Sequence, residues 1–115
     1  LRHQLYPNGR YNEAEYGSVD DAAQFRALYA YSPYHNIRPG TRYPAVLLET
    51  GENDPRVAPW QSRKFAAGLQ AATASRLPVL LLTRRAAGHG NIGASFSQRV
   101  GNAAAALIFF DNELR

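Results

Sequence analysis

The chain has 115 residues, 13 of them basic and 9 acidic, for a formal charge of +4, and it contains neither cysteine nor methionine. That length admits one domain at most, and the missing cysteines remove disulfides, thiolate metal sites and cysteine nucleophiles together. With 45% apolar residues the composition is globular rather than disordered.

No apolar run approaches the ~18 residues of a membrane span, so no membrane partner is expected. The basic residues fall singly or in pairs, as at Arg63-Lys64 and Arg84-Arg85. A nucleic-acid footprint needs them clustered on one face, and none is expected here. A complete translation product starts with methionine, so Leu1 points to a processed product or a piece of something longer.

Residues 1–17 are polar and aromatic, with a turn at Pro7-Asn8-Gly9 and no sustained period, and they read as a loop. Ser18 followed by Asp21 resembles a capping box. Phe25, Leu28 and Tyr29 then share one face, which predicts a helix over 19–30 that Ser32-Pro33 ends. Residues 34–42 are irregular, with a turn at Pro39-Gly40. The nearly continuous apolar run 43–50 has the pattern of a strand buried on both faces of a parallel sheet.

After the loop 51–59, residues Trp60, Lys64, Phe65, Ala67, Leu69 and Ala72 predict a helix over 60–74, with Pro59 suited to its first turn. A second buried strand is expected over 78–83, followed by a glycine-rich loop over 84–93. The last helix, 95–112, places Phe96, Val100, Ala103, Leu107 and Phe110 on one side. Strand, helix, strand and helix thus alternate as a βαβα unit with a crossover between parallel strands. Two parallel strands cannot bury both faces of a sheet alone, so the unit is expected to belong to a larger α/β domain.

In open α/β sheets, function gathers on the loops that leave the carboxyl ends of the strands. The first such loop carries Asp54 and the second carries His89 between two glycines. Neighbouring parallel strands release both loops on the same edge, so the two side chains can meet. A carboxylate that orients a histidine acting as general base and then general acid is two thirds of a nucleophilic triad. The order acid then histidine on consecutive strand ends is that of α/β-hydrolases after their serine. The plainer alternatives stay open on spacing alone. An aspartate before proline is also a turn former, and a histidine between glycines is also an exposed turn residue.

Several blocks extend the match: Tyr31-Ser32-Pro33-Tyr34-His35-Asn36, Tyr43-Pro44-Ala45, the run Asn53-Asp54-Pro55-Arg56-Val57-Ala58-Pro59, then Ser62 with Lys64-Phe65-Ala66, and Ala87-Gly88-His89-Gly90. In this order they resemble the C-terminal end of the catalytic domain of the prolyl oligopeptidase family of serine peptidases, from about Tyr16 to the last residue. The resemblance implies the C-terminal βαβα portion of an α/β-hydrolase fold, usually accompanied by an N-terminal β-propeller, and cleavage of short peptides. By the same resemblance Asp54 is the triad acid and His89 the triad histidine. Arg56 matches the arginine that binds a substrate backbone carbonyl, a role suited to a planar fork of donors that keeps its charge. A structural ion pair with Glu52 is the alternative for Arg56. Tyr16, in Glu15-Tyr16-Gly17, matches a tyrosine that lines the pocket for the residue before the scissile bond.

The chain departs from the family pattern at three places. Proline-specific members carry a tryptophan four residues before that tyrosine, where this chain has Asn12, and an amide offers neither the π-face nor the apolar area of an indole. Pro55 stands where many members have a second acid, and Asn91-Ile92-Gly93 replaces the more usual alanine-glycine-lysine. No Gly-x-Ser-x-Gly occurs; the resemblance implies a nucleophile upstream of Leu1, and the chain alone is expected to be inert.

The expected partners are a short peptide substrate and the remainder of a parent polypeptide that supplies the serine and the propeller. No metal or organic cofactor is implied, since His3, His35 and His89 show no ligand spacing. The lack of cysteine suits the cytoplasm and the periplasm alike. An interaction module with the same fold and a catalytically silent site is the competing reading.

Overall fold

In the computed structural model, which describes residues 1, 3–6 and 9–115, the chain divides into two compact units, Leu1–Ile37 and Arg38–Arg115. The first unit contains two 3-10 turns (His3–Leu5 and Arg10–Asn12), a one-turn helix α1 (Glu13–Tyr16), helix α2 (Ala22–Tyr31) and a 3-10 turn at Tyr34–Asn36. The loop expected over 1–17 is therefore largely short helical turns. Such turns are too brief to leave a periodic apolar signal. Of the turn expected at Pro7-Asn8-Gly9, Pro7 and Asn8 lie outside the described residues.

Helix α2 starts three residues later than its pattern predicts, and Asp21 is its N-cap. Asp21 Oδ1 accepts hydrogen bonds from the backbone N–H groups of Ala23 (2.9 Å) and Gln24 (2.8 Å), satisfying two of the donors that a helix start leaves free. Ser18 does other work. Its hydroxyl donates to Gln4 Oε1 (3.2 Å) and accepts from the Asp20 N–H (3.1 Å). Gln4 is buried at the centre of this unit, also accepting from Val19 N–H and donating to Asp20, both at 2.8 Å.

The second unit holds β1 (Val46–Gly51), α3 (Trp60–Ala72), β2 (Val79–Arg84), a short turn at His89–Asn91 and α4 (Phe96–Glu113). The strands pair in parallel, with Val46 opposite Val79 and Gly51 opposite Arg84. Pro59 is the N-cap of α3, and Gln70 ties the helix to the sheet by donating to Val79 O (2.8 Å). The core of the unit is made by Ala66, Leu69 and Ala72 of α3, Val79 of β2 and Ala87. Leu47, Leu80 and Leu82 alternate with Val79 in register, so they belong to the opposite face of the pleat. There they share an open apolar groove of about 350 Å³ with Ala105, Ile108 and Phe109 of α4.

Both the strands and the last helix keep apolar surface exposed. The strands are only partly covered, Leu80 being 47% exposed. On α4 the apolar stripe read from the sequence faces outward, with Phe96 74%, Val100 52%, Leu107 68% and Phe110 53% exposed. The half-buried positions are Asn102, Ala105, Ala106, Phe109 and Glu113, the adjacent stripe of the same helix. This helix is apolar on two faces, and periodicity alone does not choose between them.

Candidate active site

Both strands end at one edge, and the ladder continues beyond them. Glu52 N–H donates to Arg84 O and Asn53 N–H to Ala87 O, each at 3.0 Å. The two loops therefore leave the sheet in contact. Gly51 makes this approach possible: a Cβ built there would lie 2.5 Å from Ala87 O and closer still to Gly88 O.

Asp54 turns the first loop back on itself. Its Oδ1 accepts from the N–H groups of Arg56 and Val57, both at 2.9 Å, an Asx-type turn that fixes the carboxylate. Oδ2 is left for His89, whose Nδ1 lies 2.9 Å away. The Asp54 side chain is only 8% exposed, whereas that of His89 is 42% exposed. Burial raises the carboxyl pKa, but the Val57 N–H, the His89 ring and the Arg56 N–H, together with the His89 charge, outweigh it. The result lies below the ordinary value of 3.8.

Asp54 is thus ionised at neutral pH and accepts only. His89 Nδ1 then carries the hydrogen and donates to Oδ2. In the neutral ring this leaves the lone pair on Nε2, the nitrogen that Asp54 does not engage.

The His89 loop is held by its own backbone. Gly88 N–H donates to Ile92 O (2.7 Å) and Ile92 N–H to His89 O (3.1 Å). Gly90 (φ 61°) and Asn91 (φ 72°) are both left-handed, the conformation that glycine adopts freely and asparagine more readily than other side chains. Ala87, just before the turn, is fully buried.

The other candidates are placed as follows. Arg56 follows Asp54 by two residues and is exposed, and among the described residues its guanidinium forms no ion pair. The Glu52 carboxylate instead accepts from Ala86 N–H at 3.5 Å, so the Arg56–Glu52 pair weighed from the sequence is absent. Tyr16 belongs to the first unit, at the end of α1, where it is 54% exposed and meets the His3 ring edge-on, with centroids 6.5 Å apart. Asn12, one helical turn earlier, is the N-cap of α1. Gly51 was not singled out from the sequence. Its signal is a glycine at the last position of an apolar strand, directly before the loop that bears the acid.

Chemically, the pair can take a proton at Nε2, hold the resulting imidazolium against Asp54, and return the proton to a leaving group. The parallel strands, the helices that flank them and the carboxyl-edge acid and histidine define a βαβα portion of an α/β-hydrolase fold. The model of the prolyl oligopeptidase family matches residues 2–115, and the chain belongs to that family. It is 41% identical over 91 residues to a prolyl endopeptidase of Elizabethkingia miricola, covering 78% of this chain and 13% of the relative. To a prolyl endopeptidase of Elizabethkingia meningoseptica it is 37% identical over 110 residues, 95% of this chain and 16% of the relative. A solved structure from a study of two prolyl endopeptidases superposes with a TM-score of 0.89 at 34% identity, over 96% of this chain and 16% of that one. The chain therefore spans about one sixth or less of the length of these relatives.

Proposed function

We propose that this chain is the C-terminal part of the catalytic domain of a serine-type peptidase that hydrolyses short peptides. It supplies the acid and base of a Ser-Asp-His triad whose serine lies upstream of Leu1. The reading rests on the 2.9 Å contact of His89 Nδ1 with Asp54 Oδ2, made while Oδ1 is fully engaged by backbone.

In this mechanism His89 Nε2 removes the serine proton as the oxygen attacks the scissile carbonyl. Asp54 stabilises the imidazolium, which then protonates the leaving amine. Water repeats the cycle in reverse to release the acyl group. Arg56 binds a substrate carbonyl through its guanidinium, which forms no ion pair among the described residues. Tyr16 offers an apolar wall beside the residue preceding the cleaved bond. With Asn12 in place of an indole, that pocket accepts residues other than proline. The rest of the polypeptide, including an N-terminal β-propeller, limits access to short substrates.

The test is hydrolysis of short chromogenic peptides by the full-length peptidase and by its His89→Ala variant. The wild type is expected to turn over and the variant to lose nearly all of kcat. Near wild-type turnover by His89→Ala overturns the assignment, and an inert wild type favours the silent interaction module.

A further inference from the structure

The turn that presents His89 is anchored to α4 by one side-chain contact. Asn102 Nδ2 donates to Asn91 Oδ1 at 3.0 Å. Asn91 is the second of two consecutive left-handed residues directly after His89, so its side chain reports the orientation of the turn. Asn102 is half-buried on the stripe of α4 that carries Ala105, Ala106 and Phe109, and α4 itself begins at a complete capping box between Ser95 and Gln98. The anchor is therefore a rigid helix rather than another loop.

On the strand side the loop is held at its start, where Asn53 N–H donates to Ala87 O (3.0 Å), and at His89 itself, through Asp54. Ala94 N–H donates to Asn91 O (3.0 Å), and Gly88 and Ile92 pair with each other. These bonds shape the turn and tie its start to the loop after β1, whereas the Asn91–Asn102 bond ties the residues after His89 to α4. Asn91 occupies one of the positions where the sequence departs from its family pattern, and a short amide is a side chain that combines a left-handed backbone with a reach to the helix.

We infer that Asn102 is a positioning residue that acts through Asn91 to hold the His89 ring in line with Asp54 and the attacking serine. The inference rests on the peptidase reading of the Asp54–His89 pair. A histidine held at one nitrogen by Asp54 still swings about that bond. Proton transfer at Nε2 depends on its direction, and small misplacements of a reacting group are costly.

The experiment compares Asn102→Ala, Asn91→Gly and the double variant in the full-length peptidase, measuring kcat and KM on a short peptide. Asn91→Gly keeps the left-handed backbone accessible and removes only the side-chain bond, so it tests the tether even if Asn102→Ala fails to fold. Each single variant is expected to lower kcat about tenfold with KM changed less than about twofold, as one lost hydrogen bond acting on the transition state implies. The double variant is expected to match the singles, because both remove the same bond. Unchanged kcat in a folded Asn91→Gly variant, a loss confined to KM, or fully multiplicative losses in the double variant each overturn the inference. All three presuppose an active wild type, so they are distinct from failure of the peptidase reading itself.

Discussion

Asp54 divides its two oxygens between backbone and imidazole, and that division gives its chemistry a direction. The amide form in Asp54→Asn offers one acceptor oxygen and one NH2 group. If the oxygen stays with the Arg56 and Val57 N–H groups, the NH2 group faces His89 and the ring takes the wrong tautomer. The full-length peptidase bearing this substitution is expected to lose about 10³–10⁴-fold in kcat with KM nearly unchanged, measured by steady-state kinetics. The lowered pKa of Asp54 also carries a stability consequence. Because the folded carboxyl binds its proton less readily than the unfolded one, its contribution is fully present above the ordinary value of 3.8. It is lost as pH falls through the lower folded pKa. The stability gap between wild type and Asp54→Asn, followed by denaturant titration, is therefore expected to narrow as the pH is taken down through the strongly acid range.

At the scale of elements, the strand ends and their first loop residues decide whether acid and base meet. Gly51 sits where the backbone of Ala87 and Gly88 leaves no room for a Cβ. Gly51→Ala is expected to separate the two loops and lower kcat at least about tenfold. Gly101→Ala in α4 is the control, since a Cβ there meets nothing within 4 Å. Alanine in that helix interior is expected to leave kcat unchanged and to raise stability by up to about 1 kcal/mol, read as a rise in Tm.

The elements themselves were largely legible. The apolar runs gave both strands to within three residues at their starts and one at their ends, and the crossover helix with its Pro59 start followed from its spacing. What escaped had physical causes. The one-turn helix and 3-10 turns before Gly17 are shorter than any detectable period. At α2 two capping residues stood close together, and the geometry chose Asp21 over Ser18. On α4 both stripes are apolar, and periodicity alone does not say which of them faces the sheet. The Asp54–His89 contact was foreseeable from two loops on one sheet edge, whereas Gly51, Asn91 and Asn102 act through approach distances and a left-handed turn that residue type alone does not reveal.

For the molecule as a whole, two parallel strands and their helices leave much apolar surface open. The outward stripe of α4 and the groove over Leu47, Leu80 and Leu82 are exposed in a chain that spans about one sixth or less of its relatives' length. Exposed apolar area on this scale drives association. The chain expressed alone is expected to bind 8-anilinonaphthalene-1-sulfonate strongly and to elute from a sizing column as oligomers or aggregates. It is also expected to show no peptide hydrolysis, since it contains no serine in a Gly-x-Ser-x-Gly setting.

The central claim is that Asp54 and His89 activate a serine supplied from elsewhere in the polypeptide. Labelling of the full-length protein with a fluorophosphonate tests it most directly, because the probe reacts only with an activated serine. The account predicts one adduct on a serine upstream of Leu1, formed at least about 10³-fold more slowly in His89→Ala. No adduct in the wild type, or equal labelling of wild type and His89→Ala, contradicts it.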